Sequence, residues 1–347
     1  MAFKGTVTQQ VQETKEYICF PSDSEYNGNM ETDSFIIRRV KSRKDIHQVP
    51  DLIETCFGQW LDPDGAGFIE EMREVSRFMK AHPLISRLEP VPYPMEGVVA
   101  ETKDGKIIGN ISYFEMTVNG EKAALIANVC VAPEHRGRHI ASQMLEKIFS
   151  LAKGKHTKCL YLQARLETPN VIAMYHSRGF ESLTKRESWI FPKGGKIPGE
   201  PVTWLSFVRP ERSMEPEFRK RFNELYPASI RWDMNYRKEL FRFGRFGALM
   251  NKLSGRGDLF RQVMDEDGIP LTSYAYQTAE SFANTLWLIP EADCPEEKLG
   301  ESLRFILQAH RGKAVSLNLP FGQYSNAIKA AGFIPHNRLV WMKYTFS

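Results

Sequence analysis

The stretch Val129 to Ala141, VCVAPEHRGRHIA, constrains the fold most, because it joins a buried strand, a strand-ending proline and the start of a helix. Residues 124–131 are apolar and rich in strand formers, and apolar residues then recur at helical spacing, at positions 140, 144, 145, 148, 149 and 152. A tight strand-to-helix turn leaves the first backbone N–H groups of the helix unpaired at the positive end of its dipole. The turn is therefore predicted to form an anion site suited to phosphate.

Length and composition bound the class of protein. The chain has 347 residues, which exceeds the size at which a single core usually stops growing, so two domains are expected. A hydrophobic fraction of 42% is that of a globular protein, and a net charge of +4 gives neither a nucleic-acid nor a membrane footprint. Five scattered cysteines without metal-ligand spacing favour a reduced, cytoplasmic protein without a metal. No apolar run approaches the roughly 20 residues of a membrane span, and the N-terminus lacks a signal-peptide core.

The pattern of elements repeats after a turn-rich linker. Both halves read strand, helices, hairpin, strand, helix, strand, helix ending in Gly-Phe, and strand, and their hairpins turn at Asp104-Gly105 and Asp267-Gly268. This order indicates the internal duplication of one α/β (α+β) domain. The predicted organisation is an N-terminal extension (1–33), a first domain (34–192), a linker (193–200) and a second domain (201–347).

Three motifs follow one another in the first half: V-x-V-x-P at 129–133, an Arg-x-x-Gly-x-Gly/Ala type loop at 136–141, and Tyr-x-x-x-Gly-Phe at 175–180. With these motifs the first half, from Phe35 to Phe191, resembles the GNAT superfamily of acyl-CoA N-acyltransferases, and the second half resembles the same fold. The resemblance implies two tandem GNAT-like domains, each a mixed, mostly antiparallel sheet flanked by helices. It also implies an N-acetyltransferase that moves an acetyl group from acetyl-CoA to the primary amine of a small-molecule or amino-acid-like acceptor.

The cofactor is expected to bind along the central strand and the loop that follows it. The strand backbone pairs with the pantetheine arm, and an N–H there stabilises the oxyanion of the reaction. The loop amides hold the diphosphate, with charge added by Arg136 and Arg138, for which a solvated helix start is the alternative. Two positions depart from the family pattern, since His139 replaces the central glycine and Thr168 an asparagine. The predicted cofactor-binding residues are Val129, Cys130, Val131, Arg136, Gly137, Arg138, His139, Ile140, Ala141, Thr168 and Asn170.

Amide formation also needs a general acid and a general base. Tyr175 occupies the family's position for the phenol that protonates the leaving thiolate, and a core aromatic is the alternative interpretation. Glu115 and Glu167 are candidate bases for the acceptor ammonium, although carboxylates at such positions are more often solvated or ion-paired. Cys130 is expected to be a small core residue rather than a nucleophile, because no histidine partner is evident.

The two halves differ in their chemistry. The second half has the acidic PEADCPEEKLG where the first has PEHRGRHIA, and it has Ile328 where the first has Tyr175, so a single cofactor site in the first half is expected. A non-catalytic acyl-CoA binding or sensing module remains the alternative function. The oligomeric state, monomer or homodimer, is left open.

Two further segments bear on partners. The loop with Trp60, Asp62, Asp64 and Phe68 is expected either to face a cationic amine acceptor or to be an ordinary surface turn. The segment 231–247 interleaves basic and aromatic residues, and an amphipathic helix is favoured there over a nucleic-acid contact.

Overall fold

The computed structural model describes residues 34–82, 96–234, 236–243, 259–279, 281–310 and 312–346. The N-terminal extension, most of the proline-rich stretch at 88–97 and the end of the basic-aromatic segment lie outside these ranges.

The first half contains six strands and five helices among the described residues. Its hairpin turns at Asp104-Gly105 as predicted, and the helix after the central strand begins at Ile140 and buries the apolar stripe read from the sequence. The elements are β1 (Phe35–Arg39), α1 (Ser42–Asp45), α2 (Val49–Phe57), α3 (Pro63–Ala81), β2 (Gly97–Thr102), β3 (Ile107–Val118), β4 (Glu121–Val131), α4 (Ile140–Gly154), β5 (Cys159–Arg165), α5 (Pro169–Ser177) and β6 (Glu181–Phe191).

The second half repeats this order with shorter helices. Its hairpin turns at Asp267-Gly268, again as predicted. The elements are β7 (Ser206–Val208), α6 (Glu215–Leu225), β8 (Leu259–Met264), β9 (Pro270–Gln277), β10 (Ala283–Pro290), α7 (Glu296–Ala309), β11 (Ala314–Pro320), α8 (Ser325–Ala330) and β12 (Ile334–Thr345).

The twelve strands form one continuous sheet in the order β1-β2-β3-β4-β5-β12-β6-β11-β10-β9-β8-β7. All neighbouring pairs are antiparallel except β4 with β5 and β10 with β11. The last strands of the two halves are exchanged: β12 pairs with β5 of the first half, and β6 pairs with β11 of the second. The sequence predicted two similar halves, but it did not show that each completes the other's sheet.

Helices cover both faces of the first half of the sheet. Gly109 of β3 faces Met144 of α4, and Phe149 of α4 stacks against Phe180 after α5, so α4 and α5 share one face. Helix α2 packs on β3 and β4 from the other face, where Cys56 contacts Cys130. This arrangement sandwiches the end of β4 between the two layers, and it is there that the sequence placed the cofactor.

Candidate functional site

A gap opens in the sheet beside the end of β4. The parallel pairing of β4 with β5 extends over three residue pairs, 123–125 with 159–161, after which the described strands diverge. A β-bulge at the gap places two residues of β4, Asn128 and Val129, opposite one residue of β3. Asn128 has a φ of 51°, and its carbonyl oxygen accepts a hydrogen bond of 3.1 Å from the Asn110 amide. The bulge bends β4. Since pairing with β5 ends at Leu125 and Tyr161, the β5 side of β4 beyond that pair is where an extended ligand can lie.

Two residues of the loop from β4 to α4 have a left-handed backbone conformation. Gly137 has a φ of 75° and His139 a φ of 55°, the conformation that a glycine adopts most easily. Holding a histidine there costs roughly 1–2 kcal/mol that a glycine would not incur. The His139 residue is exposed, and its side chain does not cap the helix. The substitution thus leaves the start of α4 accessible to an anion.

The loop arginines are anchored by their surroundings. The Arg136 Nε donates to the Val131 carbonyl oxygen at 3.1 Å, and the Cys56 thiol donates to the same oxygen at 3.5 Å. The Arg138 Nη1 lies 3.1 Å from the His135 Nδ1, and its guanidinium sits 5.9 Å from the centre of the Phe35 ring. Both arginines are half-buried.

Tyr175 lies on α5 with its side chain buried in the first-half core. Its ring makes an edge contact with Phe180 at 5.6 Å between centroids. Burial, with a smaller contribution from nearby Cys130, raises the pKa of the phenol well above its ordinary value of 10. The phenol therefore keeps its proton at neutral pH and is placed near the end of β4.

Cys130 is buried, and its contact with Cys56 together with burial raises the pKa of its thiol. A thiol that stays protonated is a poor nucleophile, as expected for a core residue. Cys56, Cys130, Cys159 and Cys294 are free cysteines.

The two predicted bases, Glu115 and Glu167, lie at different distances from the gap. Glu115 pairs with Lys155 and Lys122 and lies opposite Ala124 of β4, four residues of β3 from the bulge, or about 13 Å at 3.3 Å per residue. Its lysine hydrogen bond lowers its pKa, which makes it a weaker base. Glu167 is exposed just after β5, nearer to the gap.

Thr168 and Asn170 lie at the start of α5. Thr168 precedes the helix, and its hydroxyl donates to the Arg165 carbonyl oxygen at 2.9 Å. Asn170 is exposed in the first turn. The threonine therefore holds the turn between β5 and α5 closed, while the asparagine faces solvent.

The predicted acceptor loop is largely helical, which corrects the sequence interpretation. Helix α3 begins at Pro63, inside the predicted loop, because Asp62 caps it by accepting from the Gly65 N–H at 2.7 Å. The same segment contacts the second half: Asp62 lies 3.3 Å from the His336 Nε2, and Asp64 accepts from the Phe282 N–H at 2.9 Å.

Replacing Asp62 with alanine is expected to destabilise the protein by about 1 kcal/mol near neutral pH, because the cap is lost. The His336 contact lowers the pKa of Asp62, so this stabilisation is present above the unfolded pKa and is lost as pH falls through the folded one. Urea unfolding of both proteins at falling pH measures the difference, which should shrink in acid. The control Glu71→Ala, on the exposed side of α3, is expected to change stability by less than about 0.5 kcal/mol; a pH-independent deficit in Asp62→Ala contradicts the assignment.

The predicted amphipathic helix at 231–247 is wrong in its described part. Residues 231–233 and 238–240 form two short 3-10 turns instead. Trp232 packs on Tyr161 of β5 and on Trp341 of β12, with ring centroids 5.1 and 5.8 Å apart. Asp233 is brought beside β5 as a result. Among the described aromatic residues of this segment, Trp232 makes ring contacts across the halves, whereas Tyr236 and Phe241 pack against Phe222 and Trp287 of the second half. Sequence reasoning therefore missed the placement of Trp232 and Asp233.

Residues 67–180 match the sequence model of the Acetyltransferase (GNAT) family. A solved GCN5-related N-acetyltransferase from Sphaerobacter thermophilus has a TM-score of 0.50 and 12% identity, over 90% of this chain and 95% of that chain. A tandem GNAT protein from the clavulanic acid biosynthesis pathway has a TM-score of 0.44 and 14% identity, over 90% of this chain and 98% of that chain. No curated protein matches the chain.

The first half therefore contains a GNAT acetyltransferase domain, and the GNAT fold extends over both halves. Acyl transfer is the chemistry of that family. Within the described residues, no helix is both long and apolar enough to cross a membrane.

Proposed function

We propose that the protein is an acetyl-CoA-dependent N-acetyltransferase that acetylates the primary amine of a small-molecule acceptor by direct attack on the thioester. The observation that carries this proposal is the gap between β4 and β5, which lies inside the segment matching the GNAT family and opens next to the start of α4. An extended ligand with a diphosphate at one end and a thioester at the other matches that arrangement.

The residues present fit CoA. The start of α4 has no side-chain cap, so its first N–H groups remain available to a diphosphate. A Cβ built on Gly137 has nothing within 4 Å, which indicates open space on that side of the loop. Arg136 and Arg138 would add positive charge, and Val129 to Val131 would pair with the pantetheine arm. His139, Ile140 and Ala141 would contribute backbone contacts.

Bound acetyl-CoA supplies an activated acyl group, and the chain supplies the rest of the chemistry. A backbone N–H near the bulge in β4 would stabilise the negative charge that develops on the thioester oxygen. Tyr175 would donate its phenol proton to the sulfur as the C–S bond breaks and charge develops there. The phenol, with an ordinary pKa of about 10, is a weaker acid than a thiol of pKa roughly 8.5, so the transfer would be driven by collapse of the tetrahedral intermediate and not by the acidity of the phenol. The buried site would exclude water from this transfer.

We infer one cofactor site per chain. At the corresponding turn of the second half, Glu291 pairs with Arg221 and accepts a hydrogen bond of 3.3 Å from Gln262. A diphosphate there would meet a carboxylate. Ile328, which takes the place of the phenol, is fully buried in the second core.

The test combines CoA binding with thiol release. Wild-type protein is expected to bind CoA and to release thiol from acetyl-CoA when given a panel of primary amines. Arg136→Ala is expected to weaken CoA binding about tenfold, the loss of roughly 1.4 kcal/mol from one charge-assisted contact. Arg212→Ala, an exposed arginine of the second half, serves as the control and should bind normally.

Calorimetry with CoA, read together with thiol release, distinguishes the acetyltransferase from the binding or sensing module. CoA binding without thiol release from any amine supports the binding or sensing module instead. A complete lack of CoA binding by the wild type contradicts both functions.

A further inference from the structure

The face of the sheet opposite α4 and α5 presents polar and aromatic side chains beside the gap. Leu160, Leu162 and Ala164 of β5 point into the core under α4 and α5. Because side chains alternate along a strand, Tyr161, Gln163 and Arg165 point to the other face. Trp341 of β12 pairs directly with Gln163 and lies on that same face.

This face is the one left for the acceptor. A cofactor seated on the start of α4 approaches the gap from the α4 side. An amine that attacks the same thioester must come from the opposite side of the sheet. Register places Gln163 two residues beyond the last β4–β5 pair, Leu125 with Tyr161, and therefore level with the residues just before the bulge at Asn128.

Asp233 is held at that level by contacts from both halves. The Gln163 Nε2 donates to the Asp233 Oδ2 at 2.5 Å. The neighbouring Trp232 is fixed by its contacts with Tyr161 and Trp341 and by donating from its Nε1 to the Ser229 carbonyl oxygen at 2.9 Å. Asp233 is exposed, so a ligand can reach its carboxylate.

Desolvation makes Asp233 a stronger base than an ordinary aspartate. Although Asp233 is reachable from solvent, enough protein surrounds its carboxyl for desolvation to raise its pKa, against a smaller opposing effect of Gln163. The elements next to Asp233 carry three cations, Arg165 on β5, Lys343 on β12 and Arg231 on its own turn. Lys343 lies 5.9 Å from the centre of the Tyr161 ring, and Arg231 donates to the Tyr226 carbonyl oxygen.

Arg165 places a cation on the same face of β5, two residues after Gln163. Its guanidinium stacks over Trp60 at 4.9 Å and donates to the Asn337 Oδ1 at 2.9 Å. Two residues on one face of a strand are about 7 Å apart. Arg165 therefore lies about 7 Å along β5 from Gln163, the partner of Asp233, which suits a ligand that carries both an ammonium and a carboxylate.

We propose that Asp233, contributed by the second half, binds and deprotonates the acceptor ammonium, and that Arg165 binds a carboxylate of the same acceptor, which makes the substrate an amino-acid-like amine. This inference rests on the proposed acetyltransferase function. The amine nitrogen gives up two protons in all. Asp233 takes the first and passes it to solvent; the second, lost as the N–C bond forms and the C–S bond breaks, replaces the proton that Tyr175 gives to sulfur.

The experiment compares Asp233→Asn with wild type across a pH series, using acetyl-CoA and a panel of amino acids with matched amines that lack the carboxylate. The variant is expected to lose about 100-fold in kcat/KM near neutral pH, the lower end for a lost general base. The loss should shrink as pH rises towards the pKa of the amine, because free amine then forms without a base. Asp293→Asn, an exposed carboxylate of the second half, is the control.

Arg165→Met tests the substrate class separately. It is expected to raise KM for amino acids about tenfold and to leave the carboxylate-free amines unchanged. If the wild type transfers acetyl groups and Asp233→Asn has the same kcat/KM, or loses kcat/KM equally at every pH, the role of Asp233 is overturned. The acetyltransferase function then still stands. No transfer by the wild type overturns both.

Discussion

Replacing Tyr175 with phenylalanine is expected to lower kcat for acetyl transfer about 1000-fold, within the range for loss of a general acid. The ring is buried and makes its edge contact with Phe180 through carbon atoms, so phenylalanine should keep the packing and remove only the proton. CoA affinity is expected to stay within about twofold of wild type. The measurement is steady-state thiol release beside calorimetry with CoA.

The pH dependence gives Tyr175 a second test. Activity needs the protonated phenol and is lost as pH rises through its folded pKa, which burial raises above 10. No alkaline decline from Tyr175 is therefore expected below about pH 10. Tyr113→Phe is a matched control: its buried hydroxyl bonds to Thr157 at 2.6 Å, away from the gap, so its loss should affect stability and not rate. A Tyr175→Phe enzyme with wild-type kcat contradicts the acid assignment.

Replacing Arg186 with methionine is expected to destabilise the protein by about 3 kcal/mol. Arg186 lies on the exchanged strand β6 and is 1% exposed. It donates to the Asn318 side-chain and main-chain oxygens at 2.8 and 3.0 Å and to the Leu225 carbonyl oxygen at 2.6 Å. Each buried acceptor left without a donor costs roughly 1–3 kcal/mol, partly offset because a desolvated charge is removed. Urea unfolding measures the change.

The burial cost of Arg186 is visible in its pKa, which desolvation lowers to about 10. Arg212→Met, on an exposed turn, is the control and should shift stability by less than about 0.5 kcal/mol. Because Arg186 joins a strand of the first half to β11 of the second, both halves are expected to unfold in one transition. If Arg186→Met has unchanged stability, or if one half unfolds separately, the contacts between β6 and β11 contribute little to the stability of the protein.

Local features of the fold were readable from the sequence. The turns at Asp104-Gly105 and Asp267-Gly268 depend on residues at the turn itself, and the stripe of α4 depends on spacing within one helix. The early start of α3 carried a readable signal too, since Asp62 followed by Pro63 is a cap and first-turn pair.

Contacts between distant segments were not readable. β6 and β12 have the same position in their own halves, so no pattern within either strand shows that they change places. Trp232 and Asp233 gain their position from Tyr161, Gln163 and Trp341, far away in the chain. The place of Glu115 was unreadable for a related reason: only the register of β3 shows how far it lies from the bulge.

The exchange of β6 and β12 also affects how the chain folds while it is being synthesised. β5 finds its partner in residues 339–345, at the end of the described chain, so its free edge stays exposed while the second half is synthesised. Such an unpaired strand edge is a template for pairing with other chains. Pairing between distant segments is also slow, which makes a folding helper for the nascent chain more valuable than it is for a single-domain relative.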